Sequence, residues 1–305
     1  MTEVVTTTMT PRTGRTLPLI SLLFLVSPRA LHSFAPKRNH PTGWTASTIS
    51  TVQLTTTSNG ASSEVPIVTA MPDPLPGTLQ NTYYMLRHGQ STANVEGVIS
   101  SARTLAYSDK HGLTPLGYDQ GVQASQHLLD LIKANQKSPI NRVVMISSPF
   151  ARARQTAQAC LDGFAQAATD QNGLLQIDTN IQLEERLMER YFGRLDNEAI
   201  YTYAYVWPVD QFNVTHTAFG VESVAAVATR VREMILSLEE QYLNCHLVLV
   251  SHADVLQICQ LYAANMENVG TFSSYRFQNG EVRVMKSTPD SLPVPSPLQA
   301  PKRGT

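Results

Sequence analysis

An α/β fold is predicted, and three observations predict it. Short apolar runs at 83–86 (YYML), 143–146 (VVMI) and 247–250 (LVLV) carry no helical period and read as buried strands. Segments whose apolar residues recur at helical spacing lie between and after them. Strands alternating with helices make a sheet covered by helices.

The folded part begins near Thr78. Residues 83–96 read YYMLRHGQSTANVE, and the apolar run stops abruptly at Arg87-His88-Gly89. A cation, an imidazole and a glycine therefore sit where a strand leaves a sheet, the end at which open α/β sheets bind ligands. Gly89 lets a bound group approach the backbone. Arg87 offers a planar fork of donors matched to phosphate or carboxylate oxygens. His88 is a nucleophile or proton carrier near neutral pH, and Ser91 and Asn94 add short polar groups.

Next, Leu113-Thr114-Pro115-Leu116-Gly117 marks a helix start, with Thr114 as cap and Pro115 in the first helical position. Leu128, Leu131 and Ile132 follow at helical spacing and should face a core. Residues 142–147 (RVVMIS) form the second strand. Ser148-Pro149 repeats the cap-then-proline signal, and a helix is expected over 149–165 with Arg152 in its first turn. A strand feeding a helix N-terminus is a ready anion site, because free N–H groups and the helix dipole point there. A partly exposed strand is expected over 177–183. Residues 196–219 have no clear period and hold Tyr201, Tyr203, Tyr205, Trp207 and Phe212, a composition that caps a pocket or simply packs. They contain the glycosylation sequon Asn213-Val-Thr215. A long helix is expected from Gly220 to about Tyr242, with Val227, Val231, Met234, Ile235 and Leu238 as its apolar stripe. Strand 247–250 then leads to Ser251-His252 and to Asp254, which favours a helix N-terminus. Two last strands, 273–278 and 281–286, should turn at Asn279-Gly280.

In this order the pieces resemble the histidine phosphatase superfamily, in its phosphoglycerate-mutase-like branch. R-H-G-x-S-x-x-N after an apolar strand resembles the family's signature, and L-T-P-L-G-x-x-Q-G its first long helix. S-S-P-F-A-R-A-R-Q-T-A resembles its second arginine motif and aligns Arg152 with the phosphate-binding arginine; Arg154 takes no role. L-x-E-R-x-x-G, as Leu187, Glu189, Arg190 and Gly193, resembles the segment that keeps the proton donor. Glu185 is a rival, since E-R also occurs at Glu185-Arg186, but only Glu189 is followed at the matching distance by Gly193. Glu222-Ser223 resembles a G-E-S element, with Val221 inserted after Gly220. His252 matches the second histidine, with Ala253 where the family usually has Gly. The resemblance covers about 83–285.

The resemblance implies a three-layer sandwich with a mixed, mostly parallel sheet flanked by helices. It also implies a metal-independent phosphomonoester hydrolase that uses no cofactor and acts on a small phosphorylated metabolite. Arg87, Asn94, Arg152 and His252 would hold the phosphate. His88 would attack phosphorus and become phosphohistidine, and Glu189 would protonate the departing alcohol. A phosphoglycerate-type mutase is the alternative. It needs further basic residues for a substrate carboxylate, and 196–219 contains no Lys or Arg. A non-catalytic phosphate-binding module is a third reading, disfavoured by the intact set of His88, Glu189 and His252.

The remaining sequence bounds these readings. A length of 305 residues suits one medium domain with appendages, taken as 78–287. A net charge of −1 gives no reason to invoke nucleic acid. Cys160, Cys245 and Cys259 are too scattered for a disulfide scaffold or a zinc site. Residues 1–77 read as an unstructured presequence and linker, and 288–305 as a disordered Pro-rich tail. Residues 17–26 (LPLISLLFLV) are too short to span a bilayer but suit a signal-peptide core, with Arg12 and Arg15 before it. The following A-L-H-S-F-A-P, with Phe34, resembles the cleavage motif of bipartite plastid presequences in algae with secondary plastids. A plastid destination is therefore expected, with secretion or another endomembrane compartment as the alternative. Nothing in the sequence sets the oligomeric state.

Overall fold

The structure, a computed structural model, describes residues 67–135, 142–167 and 175–298. The presequence, with Phe34 and the apolar run at 17–26, lies outside the described residues. Among those described, no helix is long and apolar enough to cross a membrane.

The apolar runs form the strands they predict. β1 (Thr82–Arg87), β2 (Arg142–Ser147) and β5 (His246–Ser251) pair in parallel, β5 lying between the other two. Their alternating side chains face two separate cores. Tyr83, Met85, Val144, Ile146, Leu247 and Leu249 pack with α5 (Val224–Gln241) and α6 (Ala253–Ala263). Tyr84, Leu86, Val143, Met145, Val248 and Val250 pack with α2 (Pro115–Ala134) and α3 (Ala151–Ala167). Period-two alternation thus buries both faces of each strand. The result is helices, sheet, helices: the three-layer, mostly parallel arrangement expected.

α2 starts where its cap chemistry predicts, whereas α3 starts at Ala151 rather than Pro149 and α5 at Val224 rather than Gly220. The Thr114 hydroxyl accepts from the Gly117 N–H at 3.1 Å, with Pro115 at the first helical position. Ser223 caps α5 through the Ala226 N–H at 3.1 Å.

The sheet edges depart from expectation. The strand expected over 177–183 is two short pieces on β2: β3 (Gln176–Ile177) and β4 (Gln182–Leu183). Of the two last strands, only β6 (Val282–Val284) forms, antiparallel to β1. Residues 273–278 do not pair; a 3-10 helix, Val269–Ser274, occupies their start. The irregular course carries Arg276 to the carboxyl end of the sheet. Gly280 still makes the turn before β6, at φ 71°, and its N–H donates to the Arg87 carbonyl at 3.2 Å.

The segments flanking the domain are not bare. Met71 and Leu75 lie against the α5–α6 core, and the Asp73 carbonyl accepts from Arg232 Nε at 2.9 Å. After Lys286 the chain makes a 3-10 turn, Pro289–Ser291, and the Ser296 N–H donates to the Ser274 carbonyl at 2.8 Å. Leu292 also packs against the α5–α6 core, so this part of the expected tail lies on the domain.

Candidate active site

Strand register builds the site. Arg87 pairs with Ser251, so the next residue of each strand, His88 and His252, emerges side by side at one sheet edge. Their rings lie 5.2 Å apart, edge to face. β2 ends level with them, since Ser147 pairs with Val250. In the first turn of α3, Arg152 reaches the same point.

A single donor joins the two histidines. Arg152 Nε donates to His88 Nε2 and to His252 Nδ1, both at 3.2 Å. Each of those nitrogens must then carry a lone pair, which fixes the proton on the other nitrogen of each ring. His88 Nδ1 donates to the Gly89 carbonyl at 2.8 Å, and His252 Nε2 to the Ser148 hydroxyl at 2.9 Å. Burial, reinforced by the Arg152 charge, holds both imidazoles well below their usual pKa and therefore neutral. His88 thus presents an unprotonated Nε2.

The rest of the Arg152 guanidinium is fixed from the opposite side. Its terminal nitrogens donate to the Ser100 carbonyl at 2.8 Å and hydroxyl at 3.3 Å. The Ser100 hydroxyl is braced in turn by His111 Nδ1 at 2.7 Å. Arg87, buried at the end of β1, donates to the Phe277 carbonyl at 2.8 Å, while its Nε is buried without a hydrogen-bond partner among the described residues. Asn94 lines the same cavity from α1 (Thr92–Glu96). Its Oδ1 is taken by the Ser91 N–H and hydroxyl, so its amide N–H group is what it can offer a ligand.

Glu189 completes the cluster. Its Oε2 is 3.5 Å from His252 Nδ1 and 3.6 Å from an Arg152 nitrogen, and its Oε1 accepts from the Arg190 N–H at 3.0 Å. Burial pushes its carboxyl up to about 7, against the pull of Arg152. The segment is pinned by Arg190, fully buried, whose fork meets both Asp210 oxygens at 2.7 and 2.8 Å. Glu185, the rival, is exposed, accepts from the Tyr107 hydroxyl and does not line the cavity.

The loop that follows His88 is clamped. A Cβ on Gly89 would lie 2.1 Å from the Gly117 carbonyl oxygen, and one on Gly117 2.0 Å from the Gln90 oxygen. The Gly89 N–H donates to the Thr156 hydroxyl at 2.9 Å and the Gln90 N–H to Gln120 Oε1 at 2.8 Å. Gln120 is therefore a loop anchor rather than a solvent-facing side chain.

All six residues singled out in the sequence, Arg87, His88, Asn94, Arg152, Glu189 and His252, thus meet at one place. The cavity beside them is about 400 Å³. Several of its residues carried no sequence signal for this role: Ser100, which acts through a carbonyl; Gln257; and Arg276, which the expected strand concealed. Of the aromatic segment, Tyr203 and Trp207 line the cavity, whereas Tyr201, Tyr205 and Phe212 are exposed. Asp254 also lines it. Its carboxylate accepts from Trp207 Nε1 at 3.1 Å, and burial pushes it up to about 6.

No curated protein sequence matches the chain. Among solved structures, a mycobacterial glucosyl-3-phosphoglycerate phosphatase is 18% identical with a TM-score of 0.48, covering 66% of this chain and 88% of that one. A variant phosphoserine phosphatase from Entamoeba histolytica is 20% identical with the same TM-score, covering 66% and 88%. An open reading frame product of Mycobacterium tuberculosis is 19% identical, again at 0.48, covering 66% and 89%. The family model of the histidine phosphatase superfamily (branch 1) matches residues 83–294. That match spans most of the chain and every residue of the site, and the chain belongs to the histidine phosphatase superfamily, branch 1.

Proposed function

We propose that the chain is a phosphomonoester hydrolase that works through a phosphohistidine, with His88 as nucleophile, Glu189 as general acid and base, and Arg87, Asn94, Arg152 and His252 as the phosphate cradle. The observation that carries this is the Arg152 fork set between two neutral histidines with Glu189 alongside.

His88 Nε2 holds its lone pair at the end of β1, with Nδ1 anchored on the Gly89 carbonyl. In the first step Nε2 forms a bond to phosphorus while the P–O bond to the alcohol breaks. The protonated Glu189 gives its proton to the leaving oxygen, which would otherwise depart as a strongly basic alkoxide. In the second step the Glu189 carboxylate takes a proton from water as that water attacks phosphorus, and His88 leaves with its electron pair. Arg87 and Arg152 offset the charge on the phosphoryl oxygens throughout, in a site where burial strengthens each contact. A carboxyl near 7 suits both steps, because acid and base forms are both populated at neutral pH.

The test is chemical. Protein mixed with a labelled phosphomonoester and quenched in denaturant should carry an alkali-stable, acid-labile phosphate, absent in His88→Ala. A label that persists in the variant overturns the assignment.

A further inference from the structure

Beside Arg87 and Arg152, a third guanidinium lines the same cavity. Arg276 comes from the irregular stretch between the 3-10 helix Val269–Ser274 and β6. Its guanidinium carbon lies 5.2 Å from the Trp207 ring centre. Trp207 is itself stacked on Tyr203, at 4.6 Å and 8°, and Tyr203 meets Phe192 edge to face at 4.8 Å. A column of three rings thus backs the guanidinium and limits its freedom, which lowers the entropy cost of using it. Partial burial lowers the Arg276 pKa while Asp254 raises it, and an arginine remains charged in either case.

The neighbours of Arg276 suit a second polar group on the ligand. Gln257 and Gln278 line the same cavity and can each donate amide N–H groups. Asp254 is the one carboxylate among these far-wall lining residues. It is drawn to the buried side by the Trp207 N–H at 3.1 Å and by Arg190 at 3.6 Å. At about 400 Å³ the cavity lies in the small-molecule range of about 300–1,000 Å³, so it houses more than a phosphate group. Residues 196–219 hold no Lys or Arg, whereas Arg276 enters the cavity from much later in the chain.

We propose that Arg276, with Gln257 and Gln278, forms a second anion site, and that the substrate is a small phosphomonoester bearing a further negative group, a carboxylate or a second phosphate. This rests on the phosphatase reading above for the catalytic half of the cavity.

Three esters with a common three-carbon chain test it: propyl phosphate, 3-phosphonooxypropanoate and propane-1,3-diyl bisphosphate. The full chain should favour one or both doubly anionic esters over propyl phosphate in kcat/KM, and which one wins separates carboxylate from phosphate. A charge-assisted hydrogen bond contributes about 1.5–3 kcal/mol, so Arg276→Gln should shrink that preference roughly 10- to 150-fold. Arg276→Lys, which keeps the charge, should retain part of it. The readout is a ratio within each variant, so a general loss of activity does not mimic the result. A wild-type chain with no preference, or a ratio unchanged in Arg276→Gln, overturns the proposal. If no ester is hydrolysed, the catalytic reading fails separately, and calorimetric binding of the same three esters to both proteins still decides the anion site.

Discussion

Glu189 is where the proposed chemistry is most open to refutation. Burial moves its carboxyl from the ordinary 4.5 to about 7, with Arg152 and Arg87 pulling back and Asp254 pushing further. If the acid form protonates an alkoxide, the rate on an alkyl phosphate follows the protonated fraction, about half at pH 7 and about a tenth at pH 8. Formation of phosphohistidine in single turnovers should therefore fall through this range, tending to about tenfold per pH unit. Glu189→Gln should abolish that dependence and cost about 10²–10⁴-fold in rate. A nitrophenyl leaving group is a weak base, so the same variant should lose far less on nitrophenyl phosphate. Equal losses on the two substrates would reduce Glu189 to a positioning or structural role. If Glu185→Gln showed the leaving-group dependence instead, the wrong glutamate has been assigned. A second readout comes from stability. A carboxyl whose folded pKa is raised holds its proton more tightly in the native chain, so its contribution is complete below about 4.5 and lost as pH rises through about 7. At 1.36 kcal/mol per pH unit, that interval amounts to about 3 kcal/mol. Glu189→Gln, which imitates the neutral acid, should thus unfold at a higher temperature than the parent at pH 8 and at nearly the same temperature near pH 4.5. An equal difference at both pH values would show that the carboxyl is not perturbed.

Three further expectations follow from particular features. Asp210→Asn strands the fully buried Arg190 and should cost about 3–5 kcal/mol in urea unfolding; a variant as stable as the parent would mean that Asp254 alone satisfies Arg190. Guanidinium groups supply the charge that a metal would otherwise provide, so activity should survive a chelator, and loss restored by magnesium or zinc would reject the mechanism. A fluorescent reporter fused to residues 1–77 should enter a membrane-bounded compartment in an alga with complex plastids, and Phe34→Ala should divert it from the plastid. Diffuse cytosolic fluorescence of the unaltered fusion would count against both plastid and endomembrane routes.

What the sequence reveals and what it hides divide along physical lines. β1, β2 and β5 are legible because both of their faces are buried, which leaves uninterrupted apolar runs. α2 is legible because a hydroxyl cap and an apolar spacing mark it, and α5 because of its apolar stripe, although its start falls at Val224 behind the Ser223 cap rather than at Gly220. The histidines and Arg152 are legible because strand ends and helix starts fall at fixed places around them. Residues 273–278 mislead because Tyr275 and Phe277 are buried as strand residues would be, yet pack from an irregular course. Ser100 leaves no trace, since its contribution to Arg152 is partly a backbone carbonyl that any residue possesses. The Arg190–Asp210 pair spans 20 residues of non-periodic chain, and no local pattern announces it.

The contact between Gly89 and Gly117 bears on how the molecule breathes. Backbone touches backbone there, and the N–H groups of Gly89, Gln90 and Thr114 are all spent on interior acceptors. A loop joined in this way has no cheap local opening, so its amides should exchange with deuterium only as fast as the whole domain unfolds. Across the cavity the chain is more exposed: Tyr201 and Tyr205 of the 3-10 segment Ile200–Tyr205 face outward, and the exposed strap around Ser296 is tied to the Ser274 carbonyl. Exchange should accordingly be slow around the proposed nucleophile and faster along the exposed strap around Ser296, an asymmetry that puts the chemistry on the stiff side.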